Sequence, residues 1–187
     1  MNEKQFSIVI PCMGRARHVL QLLPLLKQWA EKIIVVDYNC PDRVGELVDN
    51  CFPNVEIVRE RAPGPFNVSR ARNIGFKKVM TDYVIFLDAD MMPSDKFPKK
   101  IIEKSSLKNF ILFGRGRGVG AAGSNVSPTW AVTKIGGYDE VFSGYGQEDI
   151  DYFERLRFLG GFSQHFYRMN QKLFYLIRLK IEISIIP

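Results

Sequence analysis

Short β-branched runs alternate with stretches of helical periodicity through the first 113 residues. Phe6-Ser7-Ile8-Val9-Ile10 reads as a buried strand, Lys32 to Asp37 as a second and Val55 to Val58 as a third. Tyr83 to Asp88 is a fourth and Asn109 to Phe113 a fifth. Apolar positions recurring every three or four residues predict helices over 15–30, 42–50, 67–80 and 96–105. Val19, Leu22, Leu23 and Leu26 form the apolar face of the first, with Pro24 as a kink. Strands that are apolar on both sides, each followed by a helix, imply an α/β fold with a parallel sheet covered on both faces. Ligands of such sheets sit beyond the carboxyl ends of the strands, and Asp37, Asp88 and Asp90 fall at strand ends.

The regularity loosens after residue 114. Gly114 to Gly123 is Gly-rich, and 128–147 carries Pro, Trp and further glycines. A helix resumes at Glu148 and runs through Leu156 towards Gly160-Gly161, with acids in its first turn that favour the helix dipole. There is no internal repeat and no linker. With 187 residues, 46% of them hydrophobic and 25% charged, the chain is expected to bury one sizeable core as a single domain. Disorder, collagen and coiled coil are excluded.

The net charge of +6 is unevenly spread: six acids and no base lie in 139–154, five bases and no acid in 104–138. A basic surface fits nucleic acid, anionic lipid, a phosphorylated small molecule or plain solvation. Three cysteines (Cys12, Cys40, Cys51) without CxxC spacing, and only two histidines, point to reduced thiols in a cytoplasmic protein rather than a zinc site. The N-terminus lacks the long apolar segment of a signal peptide, and no run of 18 uncharged apolar residues exists, so no transmembrane helix is expected.

The literal GxGxxG at 118–123 is followed by Ser124-Asn125-Val126-Ser127-Pro128 rather than by a helix, which argues for a mobile loop and against a dinucleotide fingerprint. No Walker motif, GxSxG elbow or HExxH is present. Asp88-Ala89-Asp90 follows an apolar strand. Residues two apart on a strand point the same way, so both carboxylates can face one ligand. Converging carboxylates repel unless a cation lies between them, and hard oxygen donors suit Mn²⁺ or Mg²⁺; the alternative is a solvated turn. Just upstream, Arg70 and Arg72 open a helix beneath a strand end, where a bound anion is favoured. Two surface arginines are the plain alternative.

The order of these segments resembles GT-A-fold glycosyltransferases of the large inverting family that includes chondroitin polymerase-like and β-1,4-galactosyltransferase-like enzymes. The matching pieces are Ser7-Ile8-Val9-Ile10-Pro11 with Arg15, Val36-Asp37, Pro65-Phe66-Asn67 through Gly75, and Phe86-Leu87-Asp88-Ala89-Asp90. Gly136-Gly137-Tyr138-Asp139-Glu140 and Tyr145-Gly146-Gln147-Glu148-Asp149-Ile150-Asp151 complete the series, over about residues 5–160.

The resemblance implies a nucleotide-binding half (1–90) and an acceptor-binding half (91–187) with a short C-terminal tail. It implies that Pro11, Arg15 and Asp37 border the uridine and that Arg70 and Asn73 hold the nucleotide. Asp88 and Asp90 would be the DxD, Asp88 leaning to ribose and metal and Asp90 ligating Mn²⁺ on the diphosphate. Gly137 would let the chain pass close to the sugar, and Tyr145 would wall the donor or acceptor. Glu148 and Asp149 match the family's Glu-Asp pair, in which the Asp is the usual general base; an inverting transfer needs such a carboxylate opposite the leaving group. Asp151 would be a supporting or dipole partner. Trp130 would stack on a sugar ring or pack in the core.

Family members commonly supply a third metal ligand, usually a histidine, farther downstream. His165 is the candidate here, against a plain strand or surface histidine. The basic-apolar tail after Leu173 reads as a packing helix, a peripheral membrane contact or a partner interface. The expected activity is metal-dependent inverting transfer of a hexose or N-acetylhexosamine from a UDP-sugar to a saccharide acceptor, with 114–123 as a loop that orders over the donor. Its rivals are a nucleotide-sugar-binding module without turnover and a nucleic-acid-binding domain.

Overall fold

The computed structural model describes residues 6–61, 63–93, 123–144 and 146–159 in full, and the strand backbones of 110–115 and 163–168. Among the described residues one mixed sheet has seven strands: β1 (Phe6–Cys12), β2 (Lys32–Tyr38), β3 (Glu56–Glu60), β4 (Tyr83–Phe86), β5 (Phe110–Arg115), β6 (Asn125–Pro128) and β7 (Ser163–Arg168). They lie in the order β3-β2-β1-β4-β6-β5-β7. β1, β2, β3 and β4 are mutually parallel neighbours, and β5 pairs parallel with β7. β6 runs antiparallel to both β4 and β5.

Period-two alternation assigns each strand residue to one of two cores. Ile8, Ile10, Ile33, Val35, Ile85 and Leu87 join the cluster under α1 (Ala16–Leu26) and α2 (Val44–Cys51). Val9, Ile34, Val36, Val84 and Phe86 join the other, with Ala71, Ala131, Tyr152 and Leu156. That second face is covered by α3 (Val68–Phe76), α4 (Thr129–Ile135) and α5 (Glu148–Phe158). A sheet buried on both faces explains why the strands read as continuous apolar runs.

The five expected strands are all present, with bounds shifted by up to two residues. The fourth stops at Phe86, so the Asp88-Ala89-Asp90 segment lies in the turn beyond it. α1 tolerates Pro24 within its span, and α3 ends at Phe76 rather than residue 80. The expected helix over 96–105, the tail after Leu173 and residues 116–122 of the Gly-rich loop lie outside the described residues. β6 and α4 were not expected: Asn125-Val126-Ser127-Pro128 lacks an apolar run, yet all four residues are buried. Among the described residues no helix is long and apolar enough to cross a membrane.

Candidate active site

The carboxyl ends of β1 and β4 open into a cleft of about 230 Å³ lined by Pro11, Met13, Arg15, Phe66, Val68, Asp88, Ala89 and Asp90. Sheet topology explains the placement: β1 and β4 are parallel neighbours, so the turns after Cys12 and Phe86 emerge side by side. Ala89 is buried in the α1/α2 core while Asp88 and Asp90 line the cleft. Arg15 Nε lies 3.7 Å from Asp90 Oδ2, both side chains about half exposed.

Behind the cleft α3 carries the chemistry inward. Its N-cap is Asn67, whose Oδ1 accepts the Arg70 N–H at 2.8 Å. Helical spacing turns Ser69, Arg72 and Gly75 to the buried side. Arg70 turns outward to Glu60 Oε2 at 3.3 Å. Arg72, only 2% exposed, holds three acids: Nη2 donates to Asp88 Oδ1 at 3.0 Å, and Nη1 to Asp149 Oδ1 at 3.0 Å and to Glu148 Oε1 at 3.5 Å. Its guanidinium also sits 4.7 Å from the centre of the Tyr138 ring. Burial opposes its charge, but Tyr138, Asp88 and Asp149 push its pKa above the usual range. Among the described residues, buried Arg72 Nε and Glu148 Oε2 have no hydrogen-bond partner.

Glu148 and Asp149 open α5, where a left-handed Gln147 at φ 73° turns the chain into the helix. Burial pushes the Asp149 carboxyl up to about 6; Arg72 opposes the rise, and the Glu148 and Asp88 carboxylates add to it. A carboxyl so placed accepts a proton near neutral pH. Asp151 is held by Arg155 through bonds of 2.7 and 2.8 Å. Arg155 also donates to the Ile135 and Gly137 carbonyls, pinning α5 to the turn after α4.

That turn is clamped by Asn73. Its Nδ2 donates to the Tyr138 carbonyl at 2.8 Å and to Glu140 Oε1 at 2.9 Å, while its Oδ1 accepts the Tyr138 N–H at 2.8 Å. Gly137 is needed here twice over. Its φ is +80°, and a Cβ would fall 2.5 Å from Asn73 Oδ1. At the far end of the cleft's back wall, a Cβ on Gly123 would lie 2.6 Å from Asp88 Oδ2 and 2.7 Å from Arg72 Nη2.

Asp88, Glu148 and Asp149 therefore gather around Arg72, Gly137 abuts Asn73, and Asp90 lines the cleft with Pro11 and Arg15. Asp37 is 2% exposed, with Oδ1 accepting the Cys40 N–H at 2.9 Å and both oxygens facing Arg61 at 3.2 to 3.4 Å. Asn73 gives its amide to the Tyr138 turn, and Arg70 gives Nη2 to Glu60.

The structure does not bring Trp130 to the cleft. It follows Pro128, which pairs with Tyr83 at the opposite end of β4. Five residues of extended chain put that end roughly 16 Å from Asp88, and the Trp130 side chain is half exposed there. Tyr145 lies outside the described residues, as does the side chain of His165. His165's backbone is on edge strand β7 opposite Leu112, three strands from β4.

Asp88 and Asp90 fit a divalent cation by the chemistry of their donors: two hard carboxylates lining one cleft, the set that completes its shell with phosphate oxygens and water. Among the described residues no group of three or more His, Cys, Asp or Glu side chains is placed to hold a metal ion. Sequence reasoning named both carboxylate pairs and offered Arg72, with Arg70, as an anion contact, but did not find that Arg72 joins the two pairs. The signal was available: Ser69, Arg72 and Gly75 recur at helical spacing, with small residues flanking the arginine where a helix lies close to a sheet. Also missed was the buried polar row Ser124, Asn125 and Ser127.

A family model described as glycosyl transferase family 2 matches residues 7–170. Human β-1,4-galactosyltransferase 6 is 28% identical over 170 residues, covering 82% of this chain and 38% of its own. An uncharacterized glycosyltransferase of Haemophilus influenzae is 30% identical over 106 residues, covering 54% of this chain and 42% of its own. Among solved structures, S. aureus TarS 1–349 in complex with UDP superposes with a TM-score of 0.71 at 16% identity, covering 92% of this chain and 63% of that one. The mannosyltransferase PcManGT from Pyrobaculum calidifontis, in complex with GDP-Man and Mn²⁺, gives 0.68 at 12% identity, covering 88% and 55%. At such identities the structural likeness establishes the GT-A fold, as the sequence implied. The chain spans less than two thirds of the length of each of these relatives.

Proposed function

We propose that this chain, which belongs to glycosyl transferase family 2, moves a hexose or N-acetylhexosamine from a UDP-sugar to a saccharide acceptor with inversion at the anomeric carbon. The observation that carries this reading is one guanidinium holding a cleft-wall Asp on one fork and a carboxyl poised near neutrality on the other. The names of similar proteins support the donor class: a galactosyltransferase, a UDP complex and a GDP-mannose complex.

In this reading the nucleotide enters between Pro11, Arg15 and Phe66, with Pro11 and Arg15 bordering its uridine. Asp88 and Asp90 would hold Mn²⁺ or Mg²⁺, which supplies positive charge to the departing diphosphate. Asp149 accepts the proton of the acceptor hydroxyl as that oxygen bonds to the anomeric carbon, and the bond to the UDP oxygen breaks on the opposite face. Residues 1–90 thus serve the nucleotide, while α5 and the Gly136–Glu140 turn serve the acceptor. His165 as a further metal ligand and Tyr145 as an aromatic wall belong to the same proposal. So does a cytoplasmic setting, which the free thiols of Cys12, Cys40 and Cys51 favour. A peripheral membrane contact would fall to the tail beyond Leu173.

The test is thermal melting with UDP, GDP and a panel of UDP-sugars, each with Mn²⁺ or with EDTA. A ligand at 100 times its Kd adds about 2.7 kcal/mol, so a rise that needs both a uridine compound and the metal is expected. Asp90→Ala removes the metal-dependent part of that rise and leaves melting without ligand unchanged, because the side chain is half exposed. Melting that ignores every nucleotide overturns the donor assignment; an unaltered metal response in Asp90→Ala overturns the metal site alone. Product NMR showing a retained anomeric configuration overturns inversion.

A further inference from the structure

The two carboxylate pairs sit on different elements, the turn after β4 and the start of α5, and are joined by a single side chain. Arg72 gives Nη2 to Asp88 and Nη1 to Asp149, both at 3.0 Å, with Glu148 beside Asp149 at 3.5 Å. Two bonds across one planar guanidinium keep the Asp88 and Asp149 oxygens within roughly 8 Å of each other. Every neighbour fixes the plane of that guanidinium. Tyr138 lies 4.7 Å beneath it, and Gly123 closes the side where any Cβ would fall 2.7 Å from Nη2. The arginine is 2% exposed.

Such a fork is a poor way to add stability, since removing its charge from water costs as much as the pairing returns. It is a good way to fix the angle between two reacting groups, because a misplacement of about 1 Å costs on the order of 10²-fold in rate. We propose that Arg72 is a positioning residue: its planar fork sets the base Asp149 relative to the donor-side Asp88, so that the acceptor oxygen is activated on the line opposite the leaving diphosphate. The proposal rests on the transferase reading and deepens it, since Arg72 is buried and acts through Asp149.

Lysine keeps the charge but loses the fork, so it can serve one of the two carboxylates at a time. Arg72→Lys is expected to fold, to bind UDP with Mn²⁺ within about tenfold of the parent, and to turn over ~10²-fold more slowly, a loss in kcat rather than KM. The discriminating measurement is the cycle with Asp149→Asn, read as UDP released from the donor that best raises melting. A residue acting through Asp149 adds little to a chain already lacking that carboxylate, so the double variant should release UDP within about threefold of Asp149→Asn alone. Multiplying losses, or an Arg72→Lys enzyme with kcat near the parent, overturn the proposal. Should Arg72→Lys not fold, Gly123→Ala is read in its place. It presses on Arg72 Nη2 and Asp88 Oδ2 without removing a charge and should show the same kcat loss and the same masking by Asp149→Asn. Asp149→Asn with normal turnover would bring down the transferase reading of Asp149 first, whatever Arg72 does.

Discussion

Asp149→Asn is expected to lower sugar transfer ~10²–10⁴-fold while metal-dependent UDP affinity stays within a few fold of the parent. The amide has the same shape and keeps an oxygen for Arg72 Nη1, so the fork at 3.0 Å survives and only the proton acceptor is lost. The parent's pH profile identifies the same group. Burial raises the carboxyl to about 6, so kcat/KM should fall tenfold per pH unit below about 6 and level off above it. Asn removes that limb. Stability moves the other way. A folded-state pKa above the ordinary carboxyl value means that the ionised form costs stability at neutral pH, a cost relieved as pH falls through about 6. The Asn variant, carrying no charge there, should melt no lower than the parent at pH 7.5. Near-normal turnover in this variant would move the base elsewhere, with Glu148 next in line: its buried Oε2 has no hydrogen-bond partner among the described residues.

What the sequence disclosed here follows from which forces leave a local trace. Strands β1 to β5 and helices α1, α2, α3 and α5 were legible because such elements show as continuous apolar runs and amphipathic stripes, both periodic. Asp88, Asp90, Glu148 and Asp149 were legible because each pair sits at the end of such an element. β6 was not legible. Asn125 and Ser127 are buried by satisfying one another across the fold: Asn125 Nδ2 donates to the Tyr138 hydroxyl, Ser127 Oγ to Asn125 Oδ1, and the Tyr152 hydroxyl to Ser127 Oγ. A polar strand stabilised by partners far along the chain has no periodic signature. The link that Arg72 makes between the carboxylates was missed for a related reason. Charge normally marks a solvated face, and only the three acids gathered around it, from positions 16 to 77 residues away, make its burial tolerable. The same non-local pairing governs Asn73, whose amide is held by Tyr138 and Glu140.

Tyr138→Ala is expected to cost about 3–5 kcal/mol, the range for deleting a large buried aromatic. For a domain of this size that is a fall of roughly 6–20 °C in Tm. The ring is 2% exposed and stacks on Tyr152 at 4.0 Å with planes 3° apart. It meets Phe86 edge-on at 5.3 Å and carries the Arg72 guanidinium on its face. Tyr138→Phe keeps all three contacts and removes only the acceptor of the Asn125 amide, so its cost should be about 1–3 kcal/mol, with metal-dependent UDP binding retained. Calorimetry on the two variants separates two roles for the Gly136-Gly137-Tyr138 segment. If Tyr138 were a sugar contact, Ala would depress transfer and leave Tm within about 2 °C of the parent. If it is the floor beneath Arg72, Ala lowers Tm and transfer together, while Phe lowers each only slightly. The geometry favours the floor: Asn73 holds both backbone polar groups of Tyr138, and Arg155 holds the Gly137 carbonyl. The segment is thereby fixed from α3 and α5 at once. A platform anchored to both helices can keep the guanidinium, and through it Asp88 and Asp149, in one plane while donor and acceptor come and go.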